Sequence, residues 1–93
     1  MSSSPTGQPP LIEYPTAYAF KVMGKPEDDF EGFVRALFSR VLGVEVPAEA
    51  IERQPSSKGT YVSLTVTVTL HSEEHRRTVY AQLHQEKRIV YYL

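Results

Sequence analysis

Residues Thr60 to Leu70 read T-Y-V-S-L-T-V-T-V-T-L, and no other stretch restricts the fold so tightly. Val62, Leu64, Val66, Val68 and Leu70 alternate with Tyr61, Ser63, Thr65, Thr67 and Thr69. Side chains leave a strand on opposite faces with a period of two. One face of this strand is therefore apolar and the other hydroxylated. A sheet built around it has one covered face and one open face, the pattern of a two-layer α+β domain.

The chain has 93 residues, enough for one domain with one modest core. Its formal net charge is -1, so no global field draws it to nucleic acid or to an anionic membrane. There is no cysteine, which excludes disulfides, thiolate metal sites and a cysteine nucleophile. Met1-Ser2-Ser3-Ser4 offers neither the charged start nor the apolar run of a secretory signal, so a cytoplasmic location is expected. The apolar runs are too short to span a bilayer. Residues 1–11 are mainly Ser, Pro, Thr, Gly and Gln, a composition that buries too little surface to offset ordering. They are expected to form a flexible tail, with the folded domain over 12–93.

The remaining periodicities place five more elements. Thr16 to Met23 alternates Tyr18, Phe20 and Val22 with Ala17, Ala19 and Lys21, and reads as a first strand ended by Gly24. Phe30, Phe33, Val34, Leu37, Phe38, Val41 and Leu42 form one helical stripe, which predicts a helix over Pro26–Leu42 stopped by Gly43. Ala50–Gln54 reads as a weak edge strand. Pro55-Ser56-Ser57-Lys58-Gly59 reads as a turn in which Gly59 takes the left-handed conformation. Ser72 is a helix cap, and Val79, Tyr80 and Leu83 are inward candidates on a helix reaching about Gln85. In the last strand, Lys87–Leu93, alternation predicts Ile89, Tyr91 and Leu93 on the core face and Val90 and Tyr92 on the other. The order β-α-β-β-α-β, with right-handed crossovers, is the ferredoxin-like sandwich: a four-stranded antiparallel sheet with two helices on one face.

This topology hosts many activities, so each must be tested on residues. Single-stranded RNA binding needs aromatic rings on the open face. Lys58-Gly59-Thr60-Tyr61-Val62 begins like such a motif but puts Thr60 and Val62 where the rings should stand. Acylphosphatases resemble this fold, but they rely on an arginine in the first loop and an asparagine nearby. Here that loop is Gly24-Lys25-Pro26 and the chain contains no Asn. His71 and His75 are four residues apart, too few ligands for a closed metal site, and no metal or cofactor is expected. Ser56 and Ser57 beside Lys58 lack an orienting group, so turn geometry explains them and no enzyme is expected. The same turn has backbone N–H groups and an ammonium suited to an anion or a protein contact. The open face would carry Lys21, Met23, Tyr61, Ser63, Thr65, Thr67, Thr69, Val90 and Tyr92, a mixture that suits a protein partner or a second copy of the chain.

Two segments carry a family resemblance. Tyr14-Pro15-Thr16-Ala17-Tyr18-Ala19-Phe20-Lys21-Val22-Met23-Gly24 and Pro55-Ser56-Ser57-Lys58-Gly59-Thr60-Tyr61-Val62-Ser63 are similar to the YbeD-like family of small bacterial proteins. The resemblance implies the ferredoxin-like topology and a likeness to ACT regulatory domains, which bind amino acids and dimerise. The expected function is a non-enzymatic regulatory or protein-interaction module, with Lys21, Ser56, Ser57, Lys58, Gly59 and Tyr61 as the binding residues. The alternative is an ACT-like domain binding an amino acid or anion as a dimer. Its ligand loop would use Gly24 and Lys25, although Pro26 is followed by Glu27 where that loop usually has a second glycine.

Overall fold

A computed structural model describes residues 12–56 and 58–93. The flexible tail expected over 1–11 and the role expected for Ser57 fall outside the described residues. The elements are β1 (Thr16–Gly24), α1 (Phe30–Leu42), a 3-10 turn (Ala48–Ala50), β2 (Ile51–Pro55), β3 (Val62–Leu70), α2 (Glu73–Gln85) and β4 (Ile89–Tyr92). The strands form one antiparallel sheet in the order β2-β3-β1-β4. This is the ferredoxin-like arrangement that the periodicities indicate.

Register explains the core. Phe20 lies opposite Val66, and Val66 opposite Ile51; Val22 lies opposite Leu64. All five are buried, and they face the stripe of α1, from which Phe30, Val34, Leu37 and Phe38 are buried. Phe20 packs edge-on against Phe38 at 5.3 Å between ring centroids and against Tyr80 of α2 at 5.1 Å. Both helices therefore rest on the same side of the sheet, with Val79 and Leu83 completing the core. Among the described residues no charged or polar side chain is buried.

Two expectations are corrected. The first helix begins at Phe30, four residues after Pro26. Asp28 and Asp29 both take the left-handed conformation, at φ 53° and 52°, which interrupts a helical path. Aspartate tolerates that region better than most residues. The Asp29 carboxylate then caps the helix by accepting from the Gly32 N–H at 3.1 Å. The Arg88 guanidinium holds the loop by donating to the Glu27 and Asp28 carbonyls.

The second correction concerns β4. Met23 is opposite Tyr91, but Gly24 is opposite Ile89, so β4 carries an extra residue at Val90. A bulge of this kind reverses the phase of alternation on either side of it. Ile89 stays in the core, but it is Tyr92 that turns under the sheet, against Tyr80 and His84. Tyr91 and Leu93 turn out to the open face, 54% and 58% exposed. Gly24 belongs to the same irregularity. A Cβ there would meet the Phe30 ring at 2.5 Å and the Arg88 carbonyl oxygen at 2.6 Å.

The lead-in to β1 is tied to α2 through Glu73. Its carboxylate accepts from Arg76 at 2.9 and 3.1 Å and from the Tyr14 hydroxyl at 2.6 Å. The Arg76 hydrogen bonds, then that of Tyr14, hold the Glu73 carboxyl down at about 2. A depressed acid stabilises the fold above its ordinary value and loses that contribution as pH falls through the folded value. Melting temperatures of the wild type should therefore drop between pH about 4.5 and about 2 by more than those of Glu73→Gln. Parallel curves for the two proteins would deny the linkage. For the core, Phe38→Ala should cost about 3–5 kcal/mol in denaturant unfolding, and a loss below about 1 kcal/mol would place this ring outside the core.

Candidate interaction surface

Side chains on the face opposite the helices form rows fixed by the strand register. One row is Gln54, Ser63, Met23 and Tyr91. The next is Glu52, Thr65 and Lys21, with Leu93 joined to Lys21 by reciprocal backbone hydrogen bonds of 3.0 and 2.8 Å. Beyond them come Thr67 beside Ala19 and Thr69 beside Ala17. The face is therefore uneven. Large side chains gather at the end where β1 finishes, and small ones pave the end where it starts.

Two shallow depressions lie among the large side chains. One, of about 210 Å³, is lined by Met23, Gln54, Pro55, Ser56, Tyr61 and Ser63. The other, of about 230 Å³, is lined by Lys21, Met23, Ser63, Tyr91 and Leu93, with Val22. Met23 and Ser63 are common to both, so the depressions run into one another. Three of the expected binding residues, Lys21, Ser56 and Tyr61, thus share one groove. The groove pairs apolar walls with a single ammonium, which suits a partner offering an apolar side chain beside a carboxylate or carbonyl.

The turn that leads into β3 is built largely by its own hydrogen bonds. Gly59 has φ 72°, the left-handed value expected of it. The Ser56 N–H donates to the Tyr61 carbonyl at 3.0 Å, and the Ser56 hydroxyl accepts from the Tyr61 N–H at 3.3 Å. Lys58 lies outside the groove and shares a more open depression with Ser56, Thr60 and Tyr61.

The residues of the alternative ligand loop part company. Gly24 is buried, and the space a side chain would need is taken by Phe30. Lys25 is exposed and lines a cleft of about 480 Å³ with Glu27, Asp28, Lys87, Arg88 and Val90. Val90, expected on the open face, thus stands at this corner. Arg88 is committed there, since it also lies over the Phe33 ring at 4.7 Å. His71 and His75 lie at the opposite end of the sheet. They edge a cleft of about 320 Å³ floored by apolar residues such as Leu42, Val46 and Val68. No three metal-ligating side chains come together among the described residues.

Tyr91 and Leu93 are the surface residues that sequence reasoning placed in the core. Ile89 to Leu93 is apolar or aromatic throughout, so its pattern carries no phase. No signal in the segment itself marks the bulge that sets it.

The described residues include no helix long and apolar enough to cross a membrane. A family model described as a protein of unknown function, DUF493, matches residues 9–93. The chain is 38% identical over 73 residues to a UPF0250 protein of Paraburkholderia phymatum, covering 78% of this chain and 81% of that one. It is 39% identical over 85 residues to a UPF0250 protein of Janthinobacterium sp., covering 89% and 90% of the two chains. The solution structure of protein HP0495 from H. pylori superposes with a TM-score of 0.69 at 17% identity, covering 100% of this chain and 98% of that one, a likeness of fold alone. With a family model matching residues 9–93 and two relatives covered over most of their length, the chain belongs to the DUF493 (UPF0250, YbeD-like) family of small bacterial proteins.

Proposed function

We propose that this chain is a non-enzymatic, cytoplasmic interaction module with a regulatory role, and that it grips a protein partner through the groove on its open sheet face. One observation carries the reading: the two joined depressions centred on Met23 and Ser63, flanked by exposed Tyr91 and Leu93, on the side no helix covers. Aromatic residues and methionine are enriched in interface cores. The rows of this face hold one lysine and one glutamate, Lys21 and Glu52, a balance that suits protein better than a phosphate backbone. The non-enzymatic part of the reading is supported by Ser56, whose hydroxyl accepts from the Tyr61 N–H and so is engaged in holding the turn. Lys58 would extend the contact beyond the Tyr61 end of the groove.

The cleft beside Lys25 favours a second reading, the binding of a small zwitterion such as an amino acid. Lys25 and Lys87 line it together with Glu27 and Asp28, so both charge signs are present. Saturable thermal stabilisation by an amino acid, abolished in Lys25→Ala, would support this use.

The two readings separate by mutation. Tyr91→Ser and Lys21→Ala should leave the melting temperature within about 1–2 °C of wild type, as surface changes do, while a partner captured from the source cell is lost. Retention of that partner by both variants would contradict the role given to the face.

A further inference from the structure

β1 lies inside the sheet for only half its length. Its partner β4 reaches as far as the reciprocal pair between Lys21 and Leu93. Among the described residues, nothing pairs with Thr16–Phe20 on that side. Antiparallel pairing alternates, so the residues sharing the outward direction of Lys21 are Ala19 and Ala17. Their N–H and C=O groups, four in all, point out of the sheet, and both residues are exposed.

Exposed edges invite pairing with another strand, and proteins guard them with charges, proline, bulges or brevity. The other edges here are guarded. β2 has Glu52 and Arg53 and places Pro55 at its end. β4 has four residues, a bulge, and Lys87 and Arg88 immediately before it. Thr16-Ala17-Tyr18-Ala19-Phe20 carries no charge and no bulge, and Pro15 immediately before it is its one guarding device. An edge whose own residues carry neither charge nor bulge, in a sheet whose other edges do, is open to a neighbouring strand.

We propose that this edge pairs with the same segment of a second copy, antiparallel, about a two-fold axis at Tyr18. The segment reads the same in both directions around that residue, Ala-Tyr-Ala, so the pairing is self-complementary. Ala17 of one copy faces Ala19 of the other, twice over, and all four outward groups on each copy find a partner. Tyr18 faces Tyr18 as the close, non-hydrogen-bonded pair. The small alanines leave nothing to clash on the open face. On the helix side the Tyr14 hydroxyl bonds Glu73 and the Tyr18 hydroxyl meets that of Tyr80, so both rings are held to α2 of their own copy. The product is one continuous eight-stranded sheet whose two grooves remain free. This contact therefore stands apart from the partner-binding groove proposed above.

The register supplies its own test. In the full chain, Ala17→Lys with Ala19→Lys sets lysine against lysine twice, whereas Ala17→Lys with Ala19→Glu sets lysine against glutamate at the same places. Light scattering over a concentration series should show wild type and the Lys/Glu protein rising towards twice the monomer mass, and the Lys/Lys protein staying at the monomer mass. Amide exchange of Ala17 and Ala19 in the wild type should slow as concentration rises. Equal masses for the two variants would overturn the proposal, as would a wild type that is monomeric throughout. Protection of the two amides that ignores concentration would also overturn it, since the edge would then be covered from within the chain. Dimerisation lost in Tyr91→Ser but kept in the Lys/Lys protein would assign the contact to the open face instead.

Discussion

The Phe20 ring is the point through which the two layers of this domain are joined. It sits on the central strand between Val66 and the helices, touching Phe38 from α1 and Tyr80 from α2. A strand of alternating character can hide one face only, and once Phe20, Val22, Leu64 and Val66 face the helices, the intervening residues must face out. Slipping the register by one residue would send threonines into the core and valines into water. The same packing that stabilises the fold thus prepares an uncovered surface. The identity of that surface is decided by the side chains between the core positions.

Where that surface becomes useful is settled by a small defect at the far end of β1. Gly24 has no side chain because Phe30 and the Arg88 backbone come within 2.5 and 2.6 Å of where one would be. Opposite it, β4 takes up an extra residue, and the phase of the strand reverses. Tyr92 then joins Tyr80 and His84 beneath the sheet, with its hydroxyl 3.1 Å from His84 Nδ1. Tyr91 and Leu93 emerge beside Lys21 and Met23. A local packing demand at a glycine is in this way connected to the composition of a groove that begins one residue along the same strand. Arg88 binds the arrangement from outside by holding the strained Asp28 corner and covering Phe33.

Much of this architecture is legible in the residues. The eleven-residue alternation ending at Leu70 and the stripe from Phe30 to Leu42 are long enough for periodicity to outvote local exceptions, and both elements form within those stretches, β3 from Val62 and α1 from Phe30. Gly43, Gly59 and Ser72 also do what their chemistry suggests at helix and turn ends. The misread parts share a physical cause. The start of α1 depends on Arg88, which is about sixty positions away in sequence, and the side on which Tyr91 lies depends on a bulge opposite Gly24. Neither interaction is local, and in an all-apolar segment such as Ile89–Leu93 alternation has nothing to act on. The candidate site was half legible for the same reason. Lys21, Ser56 and Tyr61 come together as the pattern of β1 and β3 requires, while the aromatic and aliphatic wall supplied by β4 could be seen only after folding.

The orientation of the two adjacent tyrosines, Tyr91 and Tyr92, tests this description most directly. Nuclear Overhauser spectra of the chain in solution, with a soluble paramagnetic probe added, read both rings at once. Contacts from the Tyr92 ring to Tyr80 and His84, with strong relaxation of the Tyr91 ring by the probe, are the expected result. Contacts from Tyr91 to Val79 or Leu83, with Tyr92 as the relaxed ring, would contradict it and would remove the groove from the open face.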